Sequence, residues 1–194
     1  MDDRYITISD KIGKGIYSEK RSKFLAFSHH VTSVEEVKKL VARYRKEYYD
    51  ARHVCYAYML GAEHADFRAN DDGEPSSTAG KPILGQINSH ELTDILIVVV
   101  RYYGGVNLGT SALTLAYREA ARLAIDDSVI EERFVEDTIT HHFSYVEMND
   151  VMKVVKDLNP RIISQHFDNT CEMVMSIRRS QSSLLKSRLG IADD

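Results

Sequence analysis

A continuous apolar run at residues 95–100, Ile-Leu-Ile-Val-Val-Val, restricts the possible folds of this 194-residue chain more than any other feature. Five of its six residues are β-branched, and polar residues precede and follow the run. This pattern predicts a strand that is buried on both faces and therefore lies inside a sheet. The run is far shorter than the roughly 20 apolar residues that a membrane-spanning helix needs.

Three further segments predict regular structure around this strand. Ser33 and Glu36 form a capping box, and apolar residues then recur at helical spacing, so we expect a helix over 34–49. Aromatic and branched residues at 53–60 predict a second strand. After the glycines that end the apolar run, an amphipathic pattern predicts a helix over 110–126, with Thr110 as its N-cap.

A new pattern begins near residue 131. It predicts the order β-α-β-β-α, with a strand over 134–145, a helix over 146–158, strands over 161–167 and 171–178, and a last helix over 180–190. This order is typical of a small split-βαβ sandwich. We therefore divide the chain into domains 1–130 and 131–194.

The bulk composition limits the class of protein. The net charge is −4, so nucleic-acid binding would require a local basic patch. The two cysteines, Cys55 and Cys171, lie far apart and form no CxxC pair, which predicts a reducing, cytoplasmic setting. The N-terminal residues are acidic and lack the apolar region of a signal peptide.

The polar segment 68–86, Arg-Ala-Asn-Asp-Asp-Gly-Glu-Pro-Ser-Ser-Thr-Ala-Gly-Lys-Pro-Ile-Leu-Gly-Gln, predicts a stiff loop between two strands. Asp71-Asp72-Gly73 is a turn signal, and prolines at 75 and 82 restrict the backbone between them. Its three carboxylates do not have the spacing of a calcium loop, so we expect no metal site.

The glycine-rich segment between the buried strand and the following helix is the second candidate for function. Gly104, Gly109 and Thr110 approach the spacing of a phosphate-binding loop, but the required lysine is missing, which excludes a nucleoside triphosphatase of that class. A weaker anion site at the start of the helix stays open, and it is compatible with a tight structural turn.

Two side-chain groups complete the candidates. His53 and Cys55 face the same side of a strand and could form a nucleophilic pair, although a buried structural cysteine is the more common arrangement. Arg52, Arg68 and Arg101 flank strand ends or the polar loop, together with Lys81. If these side chains converge, they form a positive patch that the net charge conceals.

The motifs together resemble a known family. The segments EKRSKFLAF, RHVCYAY, DDGEPSSTAGKP and VVVRYYGGVNLGTSALTLAY, in this order and spacing, are similar to the YigZ/IMPACT family over residues 17–125. The resemblance implies an α+β fold with two domains. The first would be a ribosomal-protein domain-2-like α/β sandwich, and the second a ferredoxin-like domain, similar to the C-terminal domain of elongation factor G. The closing strand that usually follows the last helix of such a domain is hard to find in this sequence, so the completeness of its sheet stays open.

The resemblance also implies a function. Eukaryotic relatives regulate translation by binding the activator of the kinase that senses amino-acid starvation, and nucleic-acid or ribosome binding is inferred from fold for bacterial relatives. We therefore expect a non-enzymatic binding protein linked to regulation of translation, with no cofactor. Its partner would be the ribosome, RNA or a translation-associated protein, and its oligomeric state stays open.

The motif residues define the expected binding face. It comprises Arg52, His53, Arg68, Asp71, Asp72, Gly73, Glu74, Pro75, Ser76, Thr78, Ala79, Gly80, Arg101, Tyr102, Gly104, Gly105, Gly109 and Thr110. Two alternatives stay open. An enzyme could act on a phosphorylated or peptide substrate through Asp72, Glu74, His53 and Arg101. In a purely structural interpretation, Arg52 and Arg101 neutralise the carboxylates of the loop.

Overall fold

The chain forms two compact units. The structure, a computed structural model, describes residues 2–192. One unit comprises Tyr5–Arg133, and the other joins the first residues, up to Arg4, to the chain from Phe134 onward. Each unit has its own hydrophobic clusters, and the two units are described separately below.

The first unit contains most of the regular structure. Its elements are β1 (Arg4–Ile8), β2 (Gly13–Glu19), β3 (Ser22–His30), α1 (Val34–Glu47), β4 (His53–Leu60), β5 (Asp66–Asn70), α2 (Gly80–Ser89), β6 (Ile95–Tyr102), α3 (Thr110–Asp126) and β7 (Ile130–Phe134). Strands β1 and β7 pair as a separate two-stranded sheet. The main sheet has five antiparallel strands in the order β2-β3-β6-β4-β5.

The central strand β6 explains why the apolar run is continuous. Its residues from Ile95 to Val100 are all fully buried, which confirms the prediction of a strand covered on both faces. Alternate side chains enter two cores: Ile97 and Val99 pack with α2 and α3, whereas Val98 and Val100 pack with α1. Because β6 is the middle strand, its C-terminal end has two strands on each side.

The segment 68–86 is not a single loop, so that prediction was wrong. It contains the end of β5, a turn region and the first half of α2. The carboxylate of Asp71 accepts hydrogen bonds from the backbone N–H groups of Ala79 and Gly80, which compensates for the missing side-chain cap at α2. Pro82 is compatible with a helix because it lies in the first turn, where its N–H is not needed.

One other expectation about the first unit needs correction, and five of its strands were missed. The N-cap of α3 is Gly109, with φ of 77°, and Thr110 is the first helical residue. The strands β1, β2, β3, β5 and β7 were not predicted. Strands β1, β5 and β7 are short or partly exposed and lack a strong apolar alternation, and β1 and β7 form only by pairing with each other across the length of the first unit.

The second unit has the predicted order β-α-β-β-α. Its elements are β8 (Glu136–Phe143), a 3₁₀ turn (Tyr145–Glu147), α4 (Met148–Leu158), β9 (Arg161–Phe167), β10 (Cys171–Arg178) and α5 (Arg179–Leu189). The antiparallel sheet has the order β8-β10-β9, and both helices contribute to its cores. Gly190 ends α5 in a left-handed conformation, as expected. Within residues 2–192, no strand follows α5.

A buried histidine makes the stability of the first unit depend on pH. The ring Nε2 of His29 lies 2.5 Å from the hydroxyl of Tyr44. Burial, and secondarily the charge of Arg43, lower the pKa of His29 from 6.5 to about 4. The unfolded state therefore binds more protons between these values, so the free energy of unfolding falls as the pH falls from 6.5 towards 4.

We expect this histidine to cost about 2 kcal/mol of stability when the pH is lowered from 7 to 5. Urea denaturation at both pH values should detect the loss in the wild type. The variant His29→Gln, which does not titrate, should lose less stability over the same interval. Equal losses in the two proteins would contradict the role of His29.

No helix within residues 2–192 is both long enough and apolar enough to cross a membrane.

Candidate functional site

A cavity of about 340 Å³ lies where β6 ends, β4 begins and α3 starts. Six of the side chains in its wall are polar or charged, namely Arg52, His53, Glu74, Arg101, Asn107 and Thr110. The rest of the wall is formed by Pro75, Tyr103, Leu108, Gly109 and Leu113. The cavity is the principal site candidate because it combines buried charges with apolar surface.

Glu74 is the central charge of this cavity. Its side chain is only 3% exposed, and Nη1 of Arg101 donates to both carboxylate oxygens at 2.7 Å. The hydroxyl of Tyr117 donates to Oε2 at 2.8 Å. The Nε2 atom of His53 lies 2.8 Å from Oε1. The turn after β5 thus places the carboxylate of Glu74 beside side chains from β6, α3 and β4.

Both ring nitrogens of His53 contact other groups of the protein. Its Nδ1 lies 2.7 Å from the backbone carbonyl of Asp72, which can only accept, so Nδ1 carries a hydrogen. Its Nε2 faces the carboxylate of Glu74, which also binds the guanidinium of Arg101. Neither ring nitrogen is therefore directed at the open space of the cavity.

Arg101 is held by the sheet and by two aromatic rings. It lies opposite His53 on β4 and opposite Phe24 on β3, and the guanidinium carbon is 5.4 Å from the ring centroid of Phe24. The same carbon is 5.7 Å from the ring centroid of Tyr103. Its Nε atom is buried and has no hydrogen-bond partner among residues 2–192. Such an orphan donor is rare in proteins and marks a position where a ligand could contribute.

The outer rim of the cavity is more exposed. The guanidinium of Arg52 lies over the ring of Tyr103, with 4.9 Å between its carbon and the ring centroid. The hydroxyl of Tyr103 donates to Asn107 at 3.2 Å. At the adjacent start of α3, the cap residue Gly109 makes no side-chain cap hydrogen bond within the described part of the chain.

Cys55 does not form a nucleophilic pair with His53. The thiol is fully buried and lies 3.3 Å from the hydroxyl of Tyr117. Burial, as the largest cause, raises the pKa of Cys55, so the thiolate is disfavoured. Burial also raises the pKa of Tyr117. Both groups are protonated at neutral pH, and the structural interpretation of the cysteine fits this position.

The structure brings together only part of the expected binding face. Seven of the expected residues line the cavity: Arg52, His53, Glu74, Pro75, Arg101, Gly109 and Thr110. Asn107 and Leu108 lie in the glycine-rich turn from Gly104 to Thr110, which the sequence also assigned to this face, whereas Tyr103 and Leu113 were not expected. The sequence signal for these two residues was their proximity to that turn. The remaining expected residues lie elsewhere.

Asp71 and Asp72, the first two acidic residues of the polar segment, bind other groups of the protein. Asp71 also accepts from the N–H of Ser77, in addition to its bonds at the start of α2. The Oδ2 atom of Asp72 accepts from the N–H of Val54 at 2.7 Å, and its Oδ1 accepts from Arg45 at 2.9 Å. Arg45, which was not expected, thus neutralises Asp72. Only Glu74 is paired with one of the arginines named from the sequence.

The expected positive patch divides between the two faces of the sheet. Arg68 lies opposite Tyr58, which belongs to the core beneath α1, so Arg68 is on the face away from the cavity. Tyr102 also packs with that core, and its hydroxyl donates to Asp50 at 2.8 Å. Arg52 and Arg101 converge at the cavity, whereas Arg68 does not.

Several of the expected residues belong to the turns that support the site. The side chain of Thr78 donates to the carbonyl of Pro75. A Cβ atom on Gly104 would lie 2.2 Å from the carbonyl carbon of Arg21, so this glycine permits contact with the chain's own backbone rather than with a ligand. The others are Gly73, Ser76 and Gly105, which are exposed, and Ala79 and Gly80, which are buried.

Comparison with known proteins assigns the family. Residues 20–125, more than half of the chain, match the model of the Impact N-terminal domain. The chain belongs to the IMPACT family. An IMPACT family member of Haemophilus influenzae is 32% identical over 174 residues, which cover 88% of this chain and 84% of that protein. YigZ of Escherichia coli is 33% identical over 76% of this chain and 74% of its own length.

A solved structure extends the similarity to the fold. The crystal structure of a hypothetical protein superimposes with a TM-score of 0.74 and 26% identity, and the match covers 98% of this chain and 93% of that one. All residues of the cavity wall lie within the segment that matches the IMPACT family model. The cavity is therefore a feature of the family domain of this chain.

Proposed function

We propose that this IMPACT family protein is a binding protein linked to regulation of translation. The cavity and its rim form the binding surface, and the partner is the ribosome, RNA or a translation-associated protein. The link to translation comes from the resemblance to eukaryotic regulators, and the choice of surface comes from the positions of Arg52 and Arg101 in the cavity wall.

The observation that supports binding rather than catalysis is the engagement of every acid–base group at the site. Glu74 accepts from Arg101 and Tyr117 and lies against Nε2 of His53, whose Nδ1 contacts the carbonyl of Asp72. A general base needs a lone pair that can reach a substrate proton. No such lone pair is presented by these residues, whereas the arginines are suited to holding an acidic partner.

Catalysis on a phosphorylated or peptide substrate is the second candidate. The burial of Glu74 beside Arg101 in a cavity favours it, because carboxylates in such settings often have catalytic roles. A substrate would have to displace His53 from Glu74 before either group could transfer a proton. Asp72, which the sequence suggested as a participant, has its carboxylate bound to Val54 and Arg45 instead.

We also propose a domain boundary and a fold for each of the two units. We infer that the two units are domains with a boundary near residue 131, the first a ribosomal-protein domain-2-like sandwich and the second a ferredoxin-like domain. The order β8-β10-β9 with two helices supports the second assignment. We also infer a cytoplasmic location, from the two separate and buried cysteines.

Sedimentation of cell lysate tests the proposed function. We expect the wild-type protein to sediment with ribosomal particles and to return to the light fractions after RNase treatment. Arg52→Ala should shift it to the light fractions, because this exposed arginine lies at the rim of the cavity. Arg68→Ala is the matched control: it removes an exposed arginine from the opposite face and should not change sedimentation.

Light sedimentation of the wild-type protein at all salt concentrations would contradict a ribosomal or RNA partner. Arg101→Ala is unsuitable for this experiment, since it would leave the buried carboxylate of Glu74 without its main partner. A loss of binding in that variant could reflect unfolding.

A further inference from the structure

The cavity beside Arg101 carries more positive charge than its own carboxylate neutralises. Arg52 and Arg101 each carry one positive charge. Glu74 supplies the single negative charge of the wall. The excess is one positive charge. Uncompensated charge in a partly buried site is costly, so the cavity attracts an anion.

Hydrogen-bond donors converge on the same space. The 17-residue helix α3 starts at the wall, with Thr110 as its first residue and no acidic side chain in its first turn. Amides and the helix dipole favour negative charge at such a position. An independent observation points the same way: Arg101, whose side chain is 6% exposed, has a buried Nε with no partner within residues 2–192.

We propose that this cavity binds the terminal phosphate of a small phosphomonoester. Such a group carries about −1.5 to −2 charges at neutral pH and has three strong acceptor oxygens. Its three oxygens can accept from the guanidinium of Arg52 and from the first amides of α3 at the same time, whereas a carboxylate has only two coplanar oxygens. Leu108, Leu113 and the ring of Tyr103 give the organic part of the ligand an apolar surface.

The inference deepens the proposed function, because it uses the same cavity as a binding surface. It does not use the link to translation. A protein that binds phosphate but never sediments with ribosomal particles would refute the translation proposal and leave the phosphate site intact. A protein that sediments through Arg52 but binds no phosphate would refute the phosphate site alone.

Calorimetric titration of the purified full-length protein tests the site. The probes are inorganic phosphate, a nucleoside 5′-monophosphate and the matching unphosphorylated nucleoside, at constant ionic strength and neutral pH. We expect both phosphates to bind and the nucleoside not to bind. Arg52→Ala should weaken phosphate binding by about tenfold or more, through loss of a charge-assisted contact. Arg68→Ala should leave the affinity unchanged.

Three results would overturn the site. The first is no binding of either phosphate at millimolar concentration. The second is an equal loss of affinity in Arg52→Ala and Arg68→Ala, which would indicate diffuse attraction between the protein surface and anions. The third is binding of a 5′-hydroxyl oligoribonucleotide without binding of inorganic phosphate, which would indicate recognition of an RNA backbone instead.

Discussion

Glu74→Gln is expected to lower the free energy of unfolding by about 3–5 kcal/mol. The substitution keeps the shape of the side chain but removes the negative charge that pairs with Arg101 and contacts His53. The guanidinium of Arg101 would then lie in the cavity wall without a counter-charge, and breaking a buried pair in this way costs far more than breaking an exposed pair. Urea denaturation at neutral pH measures the change.

The matched control is Glu119→Gln. Glu119 pairs with Arg122 on the surface of α3, where the arginine side chain is 42% exposed. We expect a change of about 1 kcal/mol or less for this variant. A similar, small change in both variants would mean that Glu74 does not anchor the turn after β5. In that event the cavity wall is held by its apolar contacts.

Asp71→Ala is expected to lower the free energy of unfolding by about 2–4 kcal/mol. Its Oδ1 accepts from the N–H groups of Ala79 and Gly80, and its Oδ2 accepts from that of Ser77. Removing the carboxylate leaves these donors without an acceptor at the start of α2. The loss of a helix cap alone costs about 1 kcal/mol, and the buried amides add to it.

A graded pair of variants separates this effect from general disruption of the turn. Asp71→Asn keeps one carbonyl oxygen that can accept from the first amides of α2, so its loss should be smaller than that of Asp71→Ala. Circular dichroism should show that both variants remain folded at neutral pH. An equal loss in the two variants would contradict the capping role of Asp71.

The two variants also bear on the site. Asp71 holds the segment that positions Glu74, and Glu74 in turn orients Arg101 and His53 in the cavity. The acidic residues of the motif thus act mainly on the protein itself. The groups that remain available to a ligand are the exposed Arg52 and the exposed start of α3.

Much of the fold followed from local patterns in the sequence. The central strand β6 was predictable because a run with no polar residue can only lie between two covered faces. Helices α1 and α3 and the order of elements after residue 134 were predictable from periodicity and helix-end signals. Each of these signals lies within a single helix or strand or directly beside it.

Other features depended on pairing between distant segments. Helix α2 was hidden in a polar, proline-containing segment, because the carboxylate that caps it comes from Asp71, outside the helix. The register of β4 against β5 and β6 sent Arg68 and Arg101 to opposite faces of the sheet. Both arginines are evident in the sequence, but no local pattern predicts on which face of the sheet each side chain lies.

The sequence by itself determined the family, the buried central strand and the segment from which the site is built. Only the tertiary structure decided which of its charges meet. Arg45 pairs with Asp72, Glu74 pairs with Arg101, and the ring of His53 lies between Glu74 and the backbone carbonyl of Asp72. The physical reason is that ion pairs and hydrogen bonds require approach within about 3 Å. Strand register and the turn after β5 set these distances, whereas spacing along the chain does not.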